Sequence, residues 1–120
     1  KNGAGHPTEK EGTIQYASFT LNGKEFNAME GNAGHHFTFT PAVSFVVTCE
    51  TQEEIDSYWE KLTADGGQEV QCGWLTDKYG ISWQITPAGI GEWISTKGGM
   101  EAMMQMKKLD IETLKKAAGK

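Results

Sequence analysis

The segment from Pro41 to Ile85 constrains this chain more than any other, because it spells out a strand, a capped helix and two further strands in one run. Pro41 opens a strand over Ala42 to Cys49. Side chains on a strand alternate between faces, so Phe45, Val47 and Cys49 make one heavily apolar side, while Ser44, Val46 and Thr48 make a small, partly polar one. The apolar side demands cover, and the next residues supply it. Thr51 and Glu54 form a T-x-x-E capping box, and Ile55, Tyr58, Trp59 and Leu62 keep the i, i+3, i+4, i+7 spacing of one buried stripe. Asp65-Gly66-Gly67 ends the helix with a glycine suited to the left-handed conformation. Gln68 to Leu75 then reads as one strand, Asp77-Lys78-Tyr79-Gly80 as a turn and Ile81 to Ile85 as the return, so the pattern predicts β-α-β-β.

The flanking segments are less regular. Lys1 to Gly12 carries glycine, charge and a proline without an apolar period, and is expected to be a mobile terminus. From Thr13 to Leu21 the run TIQYASFTL is rich in β-branched and aromatic residues, and Asn22-Gly23 supplies the residues of a type I′ hairpin turn. The return strand, Lys24 to Met29, places Phe26 and Ala28 on one face. Gly31 to Thr40 reads as a connection. Beyond Pro87 and a glycine-broken stretch, the tail from about Gly99 to Lys116 is expected to be helical in two pieces, with Asp110 as N-cap for Ile111 to Ala117. Met100, Met103 and Met106 recur at every third position and Leu109 continues the stripe, a face that should dock on an apolar surface of this chain or of a partner.

Composition then excludes several classes. An apolar fraction of 38%, with four tryptophans, suffices for one core without disulfides or metals, and suggests a single α+β domain over residues 1–120. Sixteen acidic residues against eleven basic ones give a formal charge of −5, which argues against a nucleic-acid partner. Cys49 and Cys72 sit in neither CxxC nor Cys-His spacing, and no apolar run approaches the roughly 18 residues of a membrane span. The expectation is a reduced, cytoplasmic protein away from the membrane. Cys72 is expected to be a buried structural thiol.

The run SFVVTCETQEEIDSYWEKLTADGGQEVQCGWLTDKYGISWQITP, Ser44 to Pro87, closely resembles the bacterial PhnB-like proteins often labelled 3-demethylubiquinone-9 3-methyltransferase. The likeness extends back through FTLNGKEF, Phe19 to Phe26, and forward through AMMQMKKLDIETL, Ala102 to Leu114. It implies the glyoxalase/bleomycin resistance fold of the vicinal oxygen chelate superfamily, in which paired βαβββ modules curve a sheet around a cleft. On that plan residues 13–40 are the remainder of a first module and its connection, 41–98 the second module, and 99–120 C-terminal helices. The first module's strand-helix-strand has no counterpart ahead of Thr13, so the chain is expected to be a piece of a longer protein or to be completed by a partner.

By the same resemblance, the positions where metal-using relatives carry His and Glu correspond to Ser44 and Gln84. Neither is a strong ligand: a hydroxyl and a carboxamide lack both the imidazole and the negative charge that hold a divalent ion. His35 and His36 are loop neighbours and His6 lies in the terminus, while Glu53, Glu54, Asp56 and Glu60 read as the exposed and capping face of a helix. The methyltransferase label implies a cofactor site, yet no glycine-rich strand-to-helix loop of the kind that cradles a dinucleotide or S-adenosyl group is present. The expected protein is thus a homodimeric domain binding an unidentified small molecule, with no cofactor and no tightly bound metal. Its expected cleft is lined by Phe26, Ser44, Val46, Trp74, Trp83 and Gln84, aromatic area with an amide to fix orientation. The alternatives are a metal-dependent lyase, isomerase or dioxygenase of the glyoxalase type and a structural dimerisation module.

Overall fold

The computed structural model describes residues 14–31 and 36–120. The chain divides into two compact units, residues 1–37 and 38–120. Thr13, His6 and His35 lie outside the described residues.

The described part of unit 1 holds a hairpin of β1 (Tyr16–Leu21) and β2 (Lys24–Met29), antiparallel in register from Tyr16↔Met29 to Leu21↔Lys24. Asn22 and Gly23 take φ of 49° and 80°, the paired positive values that a type I′ turn needs to match the twist of its strands. Phe19 and Phe26 are register partners, and their rings stack with centroids 5.8 Å apart. Ser18 Oγ donates to Asn27 Oδ1 at 2.9 Å on the opposite face.

Unit 2 begins with β3 (Ser44–Cys49), α1 (Gln52–Thr63) and a 3₁₀ turn at Ala64–Gly66. Three further strands follow: β4 (Gln68–Glu69), β5 (Trp74–Thr76) and β6 (Ser82–Pro87). The sheet order is β3-β6-β5-β4, with β6 parallel to β3 and antiparallel to β5. α1 is the crossover that a parallel pair requires. Its capping box forms as expected: Thr51 Oγ1 accepts from Glu54 N–H at 3.1 Å, and Glu54 Oε1 accepts from Thr51 N–H at 3.1 Å and Glu50 N–H at 2.8 Å.

The core lies between α1 and one face of the sheet, where Ile55, Leu75, Ile85 and Cys49 are 0% exposed and Trp59 is 4% exposed. This is the apolar side expected of β3. Tyr58 departs from the expected stripe, since it is 43% exposed at the stripe's edge. The indole N–H groups at this face are satisfied by carboxylates: Trp59 Nε1 donates to Glu69 Oε2 at 2.6 Å and Trp83 Nε1 to Asp77 Oδ2 at 2.9 Å. Asp77 also holds the 77–80 turn, accepting from the N–H groups of Tyr79 and Ile81, with Gly80 at φ 90°.

The single strand expected over Gln68 to Leu75 is instead two, so the module is β-α-β-β-β. Cys72 and Gly73 take φ of 59° and 85°, values that interrupt a strand and turn the chain back on itself. The turn is held from the C-terminal segment, where the carbonyls of Met106 and Lys107 accept from Cys72 N–H at 2.7 Å and Gly73 N–H at 2.8 Å. Leu109 packs so closely here that a Cβ on Gly73 would lie 2.9 Å from its Cδ1. Cys72, expected buried, is only half-buried at this turn, and both cysteines are free.

Three short helices complete unit 2: α2 (Ile90–Ile94), α3 (Lys97–Met104) and α4 (Ile111–Ala117). Asp110 caps α4, its Oδ1 accepting from Thr113 N–H at 2.8 Å. The methionine stripe does not persist as one helical face. α3 starts earlier than expected, at a Thr96 cap, and ends at Met104, so Met106 and Leu109 fall in the link between helices. Leu109 is nevertheless buried at 1% exposure, whereas Met100 and Met104 are 37% and 60% exposed. Gln52 ties this link to α1: its Nε2 donates to Leu109 O at 3.1 Å and its Oε1 accepts from Ile111 N–H at 2.8 Å. Among the described residues no helix is long and apolar enough to cross a membrane.

Candidate functional site

The side of the sheet away from α1 is built from alternate residues of the same strands. Register aligns Val46 with Gln84 and Gln84 with Trp74, and aligns Ser44 with Ser82. Because strand side chains alternate, these five share one face. Val46 is 58% exposed there, and Trp74, Gln84 and Ser44 are half-buried. The amide of Gln84 donates from Nε2 to Ser44 Oγ at 2.9 Å, bridging β6 and β3. That bond leaves the Ser44 hydroxyl proton, the second amide proton of Gln84 and Gln84 Oε1 directed to other partners.

Of the residues expected to line a cleft, the structure brings Ser44, Val46, Trp74 and Gln84 together. Trp83 is excluded. It neighbours Gln84 in β6 and therefore points to the opposite side, packed against the core with its ring centroid 5.2 Å from that of Phe45. Phe26 belongs to unit 1, where it is half-buried against Phe19. Sequence reasoning passed over Ser82, two positions before Gln84 on the same face and only 2% exposed. The period-2 rule that separates Trp83 from Gln84 would also have included Ser82.

The titration-sensitive groups lie elsewhere. Burial raises the Cys49 thiol above its ordinary value, and the nearby Glu54 charge adds to this. A hydrogen bond from Lys108, reinforced by one from Gln52, holds the Asp56 carboxyl below its ordinary value. Both belong to the helix-covered side. His36 is exposed in the segment preceding β3. Among the described residues no three His, Cys, Asp or Glu side chains converge where they could hold a metal ion. At the positions where the resemblance places metal ligands, Ser44 and Gln84 are a hydrogen-bonded pair of neutral groups. A hard divalent cation wants charged or multiple oxygen and nitrogen donors, so this pair does not fit one.

The parallel β3-β6 pair flanked by antiparallel β5 and β4, with α1 on one face, is a βαβββ module. The protein has an α+β fold of the glyoxalase/bleomycin resistance kind. The family model described as 3-demethylubiquinone-9 3-methyltransferase matches residues 1–86, and the chain belongs to that family. Among solved structures it is similar to the PhnB protein of Bacillus cereus, which bears the provisional label 3-demethylubiquinone-9 3-methyltransferase. The two are 50% identical and superpose with a TM-score of 0.60, over 66% of this chain and 68% of that one. No curated protein matches the sequence.

Proposed function

We propose that this PhnB-like domain of the vicinal oxygen chelate superfamily binds a small molecule on the helix-free face of β3, β6 and β5, as a homodimer and without a tightly bound metal. The observation that carries the reading is the 2.9 Å Gln84–Ser44 bridge, half-buried beside the exposed Val46. A half-buried amide locked in orientation beside an aromatic ring is how small-ligand sites combine area with specificity. The neutrality of that pair supports binding without metal. The reaction in the family's name is not carried over. Methyl transfer would need a cradle for its cofactor, and the strand-to-helix turn after β3 is Glu50-Thr51, whose N–H groups are taken by the chain's own Glu54 carboxylate.

Native mass spectrometry of protein purified without denaturation, with divalent metal content measured after dialysis, tests the proposal. The expected result is a dimer carrying sub-stoichiometric metal, with retained small molecules displaced when Trp74→Ala is introduced. Stoichiometric Zn, Mn, Ni or Fe surviving dialysis would refute the metal-free reading and favour a glyoxalase-type lyase, isomerase or dioxygenase.

A further inference from the structure

We infer that the face of β3, β6 and β5 selects an uncharged ligand, a flat apolar body bearing carbonyl or hydroxyl oxygens. The inference deepens the proposed site and rests on it. Its basis is the distribution of unused hydrogen-bond donors. Trp59 and Trp83, on the helix-covered side, both hand their indole protons to carboxylates. The half-buried Trp74, on the other side, has no partner for its indole N–H among the described residues. Among the same described residues the Ser82 hydroxyl has no partner either, although that residue is only 2% exposed. Buried polar groups in native proteins are nearly always paired, and one left unpaired costs free energy until something fills its place. Register puts Ser82 beside Ser44 on one side and Thr76 on the other, two positions from Gln84 along β6.

Two of the unused groups can only donate, the Trp74 indole N–H and the second amide proton of Gln84; the Ser44 and Ser82 hydroxyls each bring a further proton and can also accept, and Gln84 Oε1 accepts. A complementary ligand therefore presents oxygen acceptors. Charge narrows the class further. Residues sharing this face of β3, β5 and β6 are Ser, Thr, Val, Trp and Gln, with no acid or base among them. An anion would meet no countercharge and a chain of formal charge −5. A cation would meet no carboxylate, only the π face of Trp74. Val46 and the Trp74 ring provide an apolar platform on either side of the Gln84 amide, which suits a planar body rather than a sugar-like one.

The test uses planar probes of similar size and different charge: neutral 2-hydroxyacetophenone, anionic salicylate and cationic benzamidine, each titrated into the full chain. Binding is read from the Trp74 indole N–H and the Gln84 side-chain amide signals in nitrogen-proton NMR spectra. The neutral probe should move both signals and bind at least about tenfold more tightly than either charged probe. Ser82→Ala should weaken it by about 3- to 10-fold, the range of one neutral hydrogen bond, without lowering the melting temperature, since the hydroxyl has no partner among the described residues to lose. Tighter binding of salicylate or benzamidine at these same signals would overturn the uncharged class while leaving the site in place. If no probe moves these signals in the folded protein, the site itself is wrong and the inference falls with it.

Discussion

Removing the Gln52 side chain should loosen the C-terminal helices from the module, because this one amide joins residues far apart in the chain. It donates to Leu109 O at 3.1 Å and accepts from Ile111 N–H at 2.8 Å, and its remaining bond reaches the exposed Asp56 at 3.0 Å. Net contributions of neutral hydrogen bonds run at about 0.5–1.5 kcal/mol each, so losing the two partly buried ones should cost about 1–3 kcal/mol in Gln52→Ala. The Asp56 contact adds little at its exposed position. Helix propensity offsets at most a few tenths, since Gln52 opens α1 and alanine is only slightly better there. All four tryptophans lie in unit 2, so urea unfolding followed by tryptophan fluorescence reports this unit. A lower midpoint at unchanged slope is expected. The turn at Cys72 and Gly73 is held by carbonyls of the same C-terminal segment, so its amide protons should exchange faster in the mutant. A stability change below about 0.5 kcal/mol, with protection at Cys72 and Gly73 unaltered, would show that Leu109 packing alone anchors the segment and that the Gln52 reasoning is wrong.

Ile55→Ala, emptying a site 0% exposed between α1 and the sheet, should cost about 2–5 kcal/mol and abolish a resolvable fluorescence transition if the wild-type margin is small. Asp56 supplies a pH dependence of defined sign. Its folded-state value is lowered, chiefly by Lys108, so its contribution is complete above the unfolded carboxylate range and is lost as pH falls through the lowered folded value. Lys108 and Asp56 are 41% and 48% exposed, which limits the effect to about 0.2–1 kcal/mol and makes it salt-sensitive; the difference between wild type and Lys108→Met across an acid titration at low and high salt measures it. Thiol labelling should be biphasic: the half-buried Cys72 should react first, and Cys49, 0% exposed and with its thiol raised by burial and Glu54, only at a rate set by opening of unit 2. Equal rates at both cysteines would contradict that order.

What could be read from the sequence was what local chemistry dictates. Asn22-Gly23 can satisfy a type I′ turn from within the hairpin, the Thr51 and Glu54 cap closes within one helical turn, and Asp110 caps α4 with its own side chain. The uneven faces of β3 likewise foretold which side α1 would cover. Alternation also carried information that was only half used, since it separates Trp83 from Gln84 and joins Ser82 to it. Tertiary structure decided the rest. The strand expected from Gln68 to Leu75 breaks where carbonyls of Met106 and Lys107 hold Cys72 and Gly73, a partner no local window contains. The methionine stripe ends as a helix at Met104 because the following link is tied to Gln52 of α1 instead. The candidate site follows the same division: its residue types were visible in the sequence, but the register of β3, β6 and β5 is what sets Ser44, Ser82, Gln84 and Trp74 side by side. Strand register is fixed by packing across the whole sheet, so a reading of one segment at a time does not contain it.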